Sequence, residues 1–380
     1  MVQIPFNQPY YTGQEIEYIQ DALAKRTSGD GIYTQKAAEL IEERIGCRRV
    51  LMTTSGTHAL EMAANLLGLR PGDEVIMPSY TFPSTANSIL MYGAKPVFAD
   101  IDERTLTLDP DDVIRKLTPR VKAIFPVHYG GVACNMDRIM EIARCHKLLV
   151  VEDAAQGVNA KYHEKYLGTL GDMGCLSFHA TKNYISGEGG ALLVNTTNEA
   201  IWEKAKVIRQ KGTDRERFLQ GEVEQYSWVD WGSNYTPSDL LMALLSAQLE
   251  AMDEITALRK KIYDFYYEKL ATFAKESLRI IKIPLGYDSN YHLFYIILSS
   301  SQERLRVQKG LKEKGIDAFT HFVPLHLSPM GQSLGGWVGQ LPVTERVSAG
   351  LLRLPLYAGM TRPECEYVVK ALLEILTKGN

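Results

Sequence analysis

In the first half of the chain, short apolar runs alternate with stretches whose apolar positions recur at helical spacing. Val50–Met52, Glu74–Met77, Pro96–Ala99, Ala123–Val127 and Leu148–Val151 are compact, rich in β-branched residues and closed by turn-forming or polar residues. That is the pattern of buried strands. Between them, Thr57–Leu69 is Ala- and Leu-rich and stops at a Pro-Gly pair, Asp109–Lys116 opens on a capping residue, and Met136–His146 carries apolar residues at helical spacing. These three predict helices. Strand–helix–strand alternation predicts a mainly parallel sheet covered on both faces. Two more strands, Cys175–Phe178 and Ala191–Val194, are expected without long helices between them.

The pattern changes near Leu240. Residues 240–270 read as one long helical run leading out of the first unit. Beyond it, a strand at His292–Leu298 and helices at Glu303–Lys314 and Pro363–Leu376 predict a smaller α/β unit. We expect a large domain over residues 1–250, its first dozen or so residues packing on the small domain, and a small domain over 251–380. Gly331–Gln340, rich in glycine, reads as an irregular loop.

Composition then narrows the class. A chain of 380 residues suits two domains. With 45% hydrophobic and 23% charged residues it is globular, not disordered or fibrous. The net charge of −3 argues against a nucleic-acid polymer as partner. No stretch approaches the roughly 18 apolar residues of a membrane span, and the first residues have no leader pattern. Five cysteines in no regular spacing fit reduced thiols. A cytoplasmic protein without membrane insertion is expected. His321 and His326 have no acidic or cysteine neighbours, so no metal site is expected.

Ligands of α/β sheets sit beyond the carboxyl ends of the strands, and the chemistry is concentrated there. Thr53-Thr54-Ser55-Gly56-Thr57 leaves a strand and opens a helix, a phosphate cradle by dipole and free amides. Alone, it is better read as an ordinary N-cap. Glu152-Asp153 closes the Leu148–Val151 strand. Ser177-Phe178-His179-Ala180-Thr181-Lys182 closes another, just before Gly187-Glu188-Gly189-Gly190. Most lysines are solvated surface charges, but Lys182 lies between an apolar strand and a glycine-rich turn. An amine, an acid and a phosphate cradle are together what pyridoxal 5'-phosphate (PLP) requires. On that reading Lys182 forms the Schiff base and Asp153 keeps the pyridine nitrogen protonated. Ser177 and the Gly56–Thr57 amides hold the phosphate. Tyr80 stacks on the ring or serves as a core aromatic, two readings of equal weight.

The segments TSGTHAL, GDEVIMPSYTFPSTANSI, PVHYGG, VVEDAAQG, GDMGCLSFHATKN and GEGGALL, in this order, resemble the DegT/DnrJ/EryC1/StrS aminotransferases over essentially the whole chain. The resemblance implies an α/β protein of PLP fold type I, similar to aspartate aminotransferase. It has a large, mainly parallel seven-stranded mixed sheet domain and a smaller C-terminal α/β domain. It implies that Lys182 is both cofactor anchor and proton carrier, that Asp153 pairs with the pyridinium, and that Gln156 lies near the ring hydroxyl. It also implies a homodimer with shared active sites, in which Asn234 reaches the neighbouring subunit's cofactor phosphate.

The blocks PVHYGGVACNMD, VVEDAAQGV and IRQKGTDRERFLQGEVEQYSWVDWGSNY look most like the subgroup that aminates C4 of dTDP-4-dehydro-6-deoxy-D-glucose. Its product is dTDP-4-amino-4,6-dideoxy-D-galactose, a precursor of surface polysaccharides, and the implied donor is L-glutamate. A C3 aminotransferase, or a non-catalytic sugar-nucleotide sensor on the same fold, are the alternatives. For the substrate side, Arg209, Lys211 and Arg215 offer cations or form a solvated helix face. Tyr226, Trp228, Trp231 and Tyr235 offer stacking or interface packing. His326 is a candidate sugar contact, and His128 could sit beneath the cofactor.

Overall fold

The computed structural model describes residues 3–25, 27–47, 49–273 and 278–377. Its main sheet has seven strands: β1 Val50–Thr53, β2 Glu74–Pro78, β3 Lys95–Ala99, β4 Val121–Ile124, β5 Leu149–Asp153, β6 Met173–Ser177 and β7 Gly190–Val194. Their spatial order is β1-β7-β6-β5-β4-β2-β3. Pairing is parallel from β3 through β6, and β7 alone runs against its neighbours. The residues expected as strands are nearly all in this sheet, with ends displaced by one to three positions. β1, β2, β6 and β7 are buried at every position, as near-continuous apolar runs require.

Two apolar clusters cover the two faces of the sheet. The helices concerned are α1 Glu15–Lys25, α2 Ile32–Ile45, α3 Gly56–Leu66, α4 Pro83–Leu90, α5 Pro110–Arg115, α6 Met136–His146 and α7 Glu199–Arg209. The first two have no counterpart in the expected elements, because their apolar positions are sparse and interleaved with charge. The expected single run over 240–270 is two helices, α8 Asp239–Glu250 and α9 Met252–Ala271, that meet at Ala251. Hydrophobic periodicity alone does not register that break, since Ala251 is itself a good helix former.

A second sheet has strands β8 Leu278–Arg279, β9 Phe294–Leu298 and β10 Leu351–Leu354, in the order β8-β9-β10. It packs with α9, α10 Ser301–Glu313 and α11 Arg362–Thr377 around its own core. Ile4 joins that core: its N–H donates to Gly315 O, and its O accepts from Asp317 N. A short helix over Pro329–Ser333 takes in the first three residues of the segment expected to be an irregular loop, and the remainder is turn and loop.

One buried carboxylate ties the N-terminal helices to α8. Asp239 is fully buried and accepts from Tyr33 N (3.2 Å), Thr34 N (2.7 Å) and Thr34 Oγ1 (2.8 Å). It therefore caps α2 from a distance, because the residue at the N-cap, Gly31, has no side chain to do so. Gly31 is required there, since a Cβ would lie 2.3 Å from Asp239 Oδ2. Asp239→Ala strands two buried amides and should cost about 2–4 kcal/mol. Asp239→Asn keeps an acceptor and should cost less than half of that. Thermal unfolding midpoints of the two variants check the ranking, and equal midpoints would refute this account of the cap.

Candidate active site

A cavity of about 550 Å³ opens where the carboxyl ends of β1, β5 and β6 face the second sheet. Its floor is built by close backbone packing. α3 begins at Gly56, capped by Ser55, whose Oγ accepts from His58 N at 3.1 Å. A Cβ on Gly56 would lie 2.8 Å from Ser177 Cβ, and one on Gly190 would lie 2.4 Å from the Ser55 backbone. Glycine at both positions lets the helix start press against β6 and β7. Among the described residues, the Gly56 and Thr57 amides at the start of α3 make no hydrogen bond, and neither does the Ser177 hydroxyl. Thr57 and Ser84 share a hydroxyl–hydroxyl bond of 2.7 Å on the same wall. Unpaired amides at a helix N-terminus with hydroxyls beside them fit a phosphate.

Asp153, at the end of β5, lies one strand away. Its Oδ2 accepts from Thr85 Oγ1 (2.7 Å) and its Oδ1 from Ala155 N (3.2 Å). Those bonds hold the carboxylate at the cavity wall. Gln156 also lines the cavity. Its Oε1 accepts from Gly130 N at 2.7 Å, which leaves the amide nitrogen available.

Lys182 follows β6 in a turn closed by its own N–H to His179 O (2.8 Å). Its amine has no hydrogen-bond or ion-pair partner among the described residues and faces the cavity. Burial pushes its pKa from 10.5 down to about 8, against the opposing pull of Asp153 and with a smaller push from Arg353. An amine with that pKa is readily neutral, which is the form that attacks a carbonyl and accepts a proton. The residues present thus fit PLP: an amine for its aldehyde, a carboxylate for its ring nitrogen and a cradle for its phosphate. The buried His292 and the half-buried His321 complete the lining, and both are held well below the usual histidine range, first by desolvation and then by cations that include Lys182 and Arg353.

Several expected contacts lie elsewhere. Tyr80 is buried behind the wall, its ring 5.1 Å from that of Tyr129 and its hydroxyl on His321 O. Phe82, two residues on and 59% exposed, lines the cavity instead. It precedes Pro83 at the start of α4, and that strand-to-helix junction is the signal that marks it in the sequence. His128 is fully buried: Cys134 N–H donates to Nδ1, and Nε2 bonds Glu152 at 2.8 Å. With both ring nitrogens engaged it touches no ligand. Arg209 is spent on the fold, donating to Met52 O (2.8 Å) and pairing with Asp30 (2.6 Å). Tyr235 is buried against His58. His326 is buried between Ser79 and Glu345, at 2.7 and 3.1 Å. His321 takes the place in the cavity that was expected of it.

Asn234, Lys211 and Arg215 line a separate concavity with Thr27–Asp30, away from Lys182. Beside it, Tyr226, Trp228 and Trp231 are 51%, 79% and 50% exposed. His292 and Arg353 were not identified from sequence, where neither stands near any recognisable signal.

Over residues 9–373 the chain matches the DegT/DnrJ/EryC1/StrS aminotransferase family. It is 34% identical to the GDP-perosamine synthase of Caulobacter vibrioides, over 97% of each chain. It is 32% identical to the spore coat polysaccharide biosynthesis protein SpsC of Bacillus subtilis, over 98% of this chain and 97% of that protein. Among solved structures, the aminotransferase TlmJ from Streptoalloteichus hindustanus is similar with a TM-score of 0.91 at 29% identity, covering 100% of both chains. DesV of S. venezuelae is similar with a TM-score of 0.90 at 28% identity, covering 98% of both.

The depressed lysine pKa sets a pH profile. Below about 8 the Lys182 amine is protonated and cannot attack, and above that it is free. The rate at which the cofactor-free protein takes up PLP should therefore climb about tenfold per pH unit as pH rises toward 8 and level off beyond it. A climb that continues to the ordinary lysine range would show that burial does not tune this amine.

Proposed function

The chain belongs to the DegT/DnrJ/EryC1/StrS aminotransferase family as a PLP-dependent sugar aminotransferase, and on that premise we propose that it aminates C4 of dTDP-4-dehydro-6-deoxy-D-glucose with L-glutamate as donor. The product is then dTDP-4-amino-4,6-dideoxy-D-galactose, a building block for surface polysaccharide. The observation that carries the transferase chemistry is the unpaired Lys182 amine in a cavity that also holds Asp153 and the α3 cradle. The choice of sugar rests on the likeness of the sequence blocks Pro126–Asp137, Val150–Val158 and Ile208–Tyr235.

When bound, PLP supplies an electron sink for the bond that breaks at the donor's α-carbon. The chain's own residues do the rest. Lys182 holds the cofactor by its amine. Once released, it accepts the proton from the donor's α-carbon, and it returns one in the second half-reaction. Asp153 keeps the ring nitrogen protonated by carboxylate pairing. Gln156 offers its amide nitrogen near the ring hydroxyl. Ser177 and the Gly56 and Thr57 amides take the phosphate, and Phe82 stands in the wall where Tyr80 was expected. The unfilled hydrogen-bonding capacity of these groups supports the assignment, because buried polar atoms are otherwise satisfied.

We assign Asn234 to the active site of a second copy. It lies outside the Lys182 cavity of its own chain, in a concavity with Lys211 and Arg215 and next to exposed tryptophans. Such an arrangement suits an isologous dimer in which each subunit completes the other's phosphate site.

Three experiments test these points. Lys182→Arg should fold and lose turnover by several orders of magnitude. Wild-type product from 3-keto and 4-keto sugars, on both dTDP and GDP, read by NMR, should carry nitrogen at C4 of the dTDP sugar. Amination at C3, or of the GDP sugar alone, would overturn the substrate assignment. For the dimer, Lys182→Arg is mixed with Asn234→Ala under subunit exchange. A shared site restores one intact centre in each hybrid, about a quarter of wild-type activity at random pairing. A site built from one chain restores none.

A further inference from the structure

Asn7 lines the cavity with an amide that no assignment above uses. It lies in the segment that leads from the second sheet's core to the large domain. Chain ends are loose unless something ties them down, and this segment is tied at both ends. On one side, Ile4 N–H donates to Gly315 O at 2.9 Å and Ile4 O accepts from Asp317 N at 3.0 Å. On the other, Gln248 Nε2 donates to Tyr10 O at 2.8 Å, and the Tyr10 hydroxyl donates to Glu254 at 2.6 Å. Between these anchors, Phe6 packs edge-on against Phe319 with ring centres 5.3 Å apart, and Phe6 O accepts from Leu356 N at 3.4 Å. Phe6 and Asn7 are thereby fixed as part of the cavity wall. The Asn7 side chain is half-buried and makes no hydrogen bond among the described residues, so two N–H donors and a carbonyl acceptor are idle. Phe6, Phe322, Leu354 and Leu356 make the same wall largely apolar. Its histidines are each already bonded through Nδ1, His292 to Asn183 and His321 to Tyr129, both at 2.8 Å.

The chemistry of a neutral amide narrows what it can recognise. The cofactor's phosphate, ring nitrogen and aldehyde are met from the large sheet. Carboxylates and phosphates are better met by cations, and the cavity supplies those as Lys182 and Arg353. A sugar hydroxyl both donates and accepts, and an amide matches it with an acceptor and donors of its own. Any ligand that fills the cavity also strips water from Asn7. A ligand without a hydroxyl at that point leaves the amide unpaired, which costs free energy. A contact of this kind therefore discriminates among sugars as well as holding one.

We propose that the Asn7 side chain hydrogen-bonds a ring hydroxyl of the keto sugar and so sets, in part, which sugar is accepted in the second half-reaction. This rests on the sugar aminotransferase reading above, and it adds a specificity residue to it. In a 4-keto-6-deoxy sugar joined to its nucleotide through C1, the free hydroxyls are those on C2 and C3.

The test uses the PLP-loaded protein, which carries no amine to transfer to a keto sugar, so calorimetry reads binding without turnover. The ligands are dTDP-4-dehydro-6-deoxy-D-glucose, its 2-deoxy and 3-deoxy analogues, and plain dTDP, each titrated into wild type and Asn7→Ala. Asn7→Ala should weaken the parent sugar nucleotide about fivefold to a hundredfold, the scale of a desolvated hydrogen-bonding group left unpaired. The two proteins should bind dTDP alike, and also the one deoxy analogue that lacks the hydroxyl Asn7 meets. Bleaching of the bound cofactor by L-glutamate should proceed in Asn7→Ala as in wild type, which also shows that the variant folds. Equal affinity of the two proteins for the parent would overturn the proposal, and so would a loss for dTDP, or for both deoxy analogues, as large as for the parent. Slower bleaching by L-glutamate in Asn7→Ala would assign the amide to the donor and overturn it equally. Wild-type protein that no amino acid bleaches would sink the transferase reading, while the sugar titrations still decide Asn7.

Discussion

The close approach of α3 to the ends of β6 and β7 is the constraint on which the rest of the site depends. Two glycines allow it. At Gly56 and Gly190, an added methyl group would meet Ser177 and the Ser55 backbone well inside van der Waals contact. Because the helix starts there, its first amides point at the same volume as the Ser177 hydroxyl. The turn after β6 then delivers Lys182 to that volume, and the parallel register of β5 with β6, pairing Asp153 with Cys175, brings the carboxylate alongside. A displaced helix would separate cradle, amine and acid without changing a single functional residue.

The buried polar groups divide into two kinds. Glu152 is saturated by Gly168 N, Leu170 N, Gly171 N and His128. Asp239 is saturated by the start of α2, and Arg259 by the carbonyls of Tyr291 and His292. These groups fix loops and helix ends. Lys182, Arg353, Ser177 and the first amides of α3 are also largely desolvated, yet they keep unused donors. Buried groups with unused donors that face a common cavity concentrate binding free energy there. The same contrast sets His128, Arg209 and His326 apart: both rings are bonded through both nitrogens, and the guanidinium is committed to Met52 O and Asp30.

The second sheet contributes more than a cover. His292, His321 and Arg353 come from it or from the segments flanking it, and together they set the electrostatic character of one wall. Two histidines that stay neutral and one arginine that stays charged leave a single cationic point facing the amine. The lysine sits between that cation and Asp153, and its pKa reflects both as well as its burial.

By itself the sequence determined the alternating α/β architecture, the strands of the main sheet, and the set Lys182, Asp153, Ser177 and Gly56. All of these are written locally, as apolar runs, helix starts and chemically loaded strand ends, and a known order of motifs links them. Only the tertiary structure decided which aromatic lines the cavity, since Tyr80 and Phe82 sit two residues apart at the same strand end and differ in which way the chain turns at Pro83. It also decided which histidines and arginines are free. His321 and His326 read alike in a sequence, as do Arg209 and Arg353. What separates them is how far carboxylates, hydroxyls and carbonyls from distant segments have already filled their hydrogen bonds. That is a property of packing between segments far apart in the chain, and no local pattern encodes it.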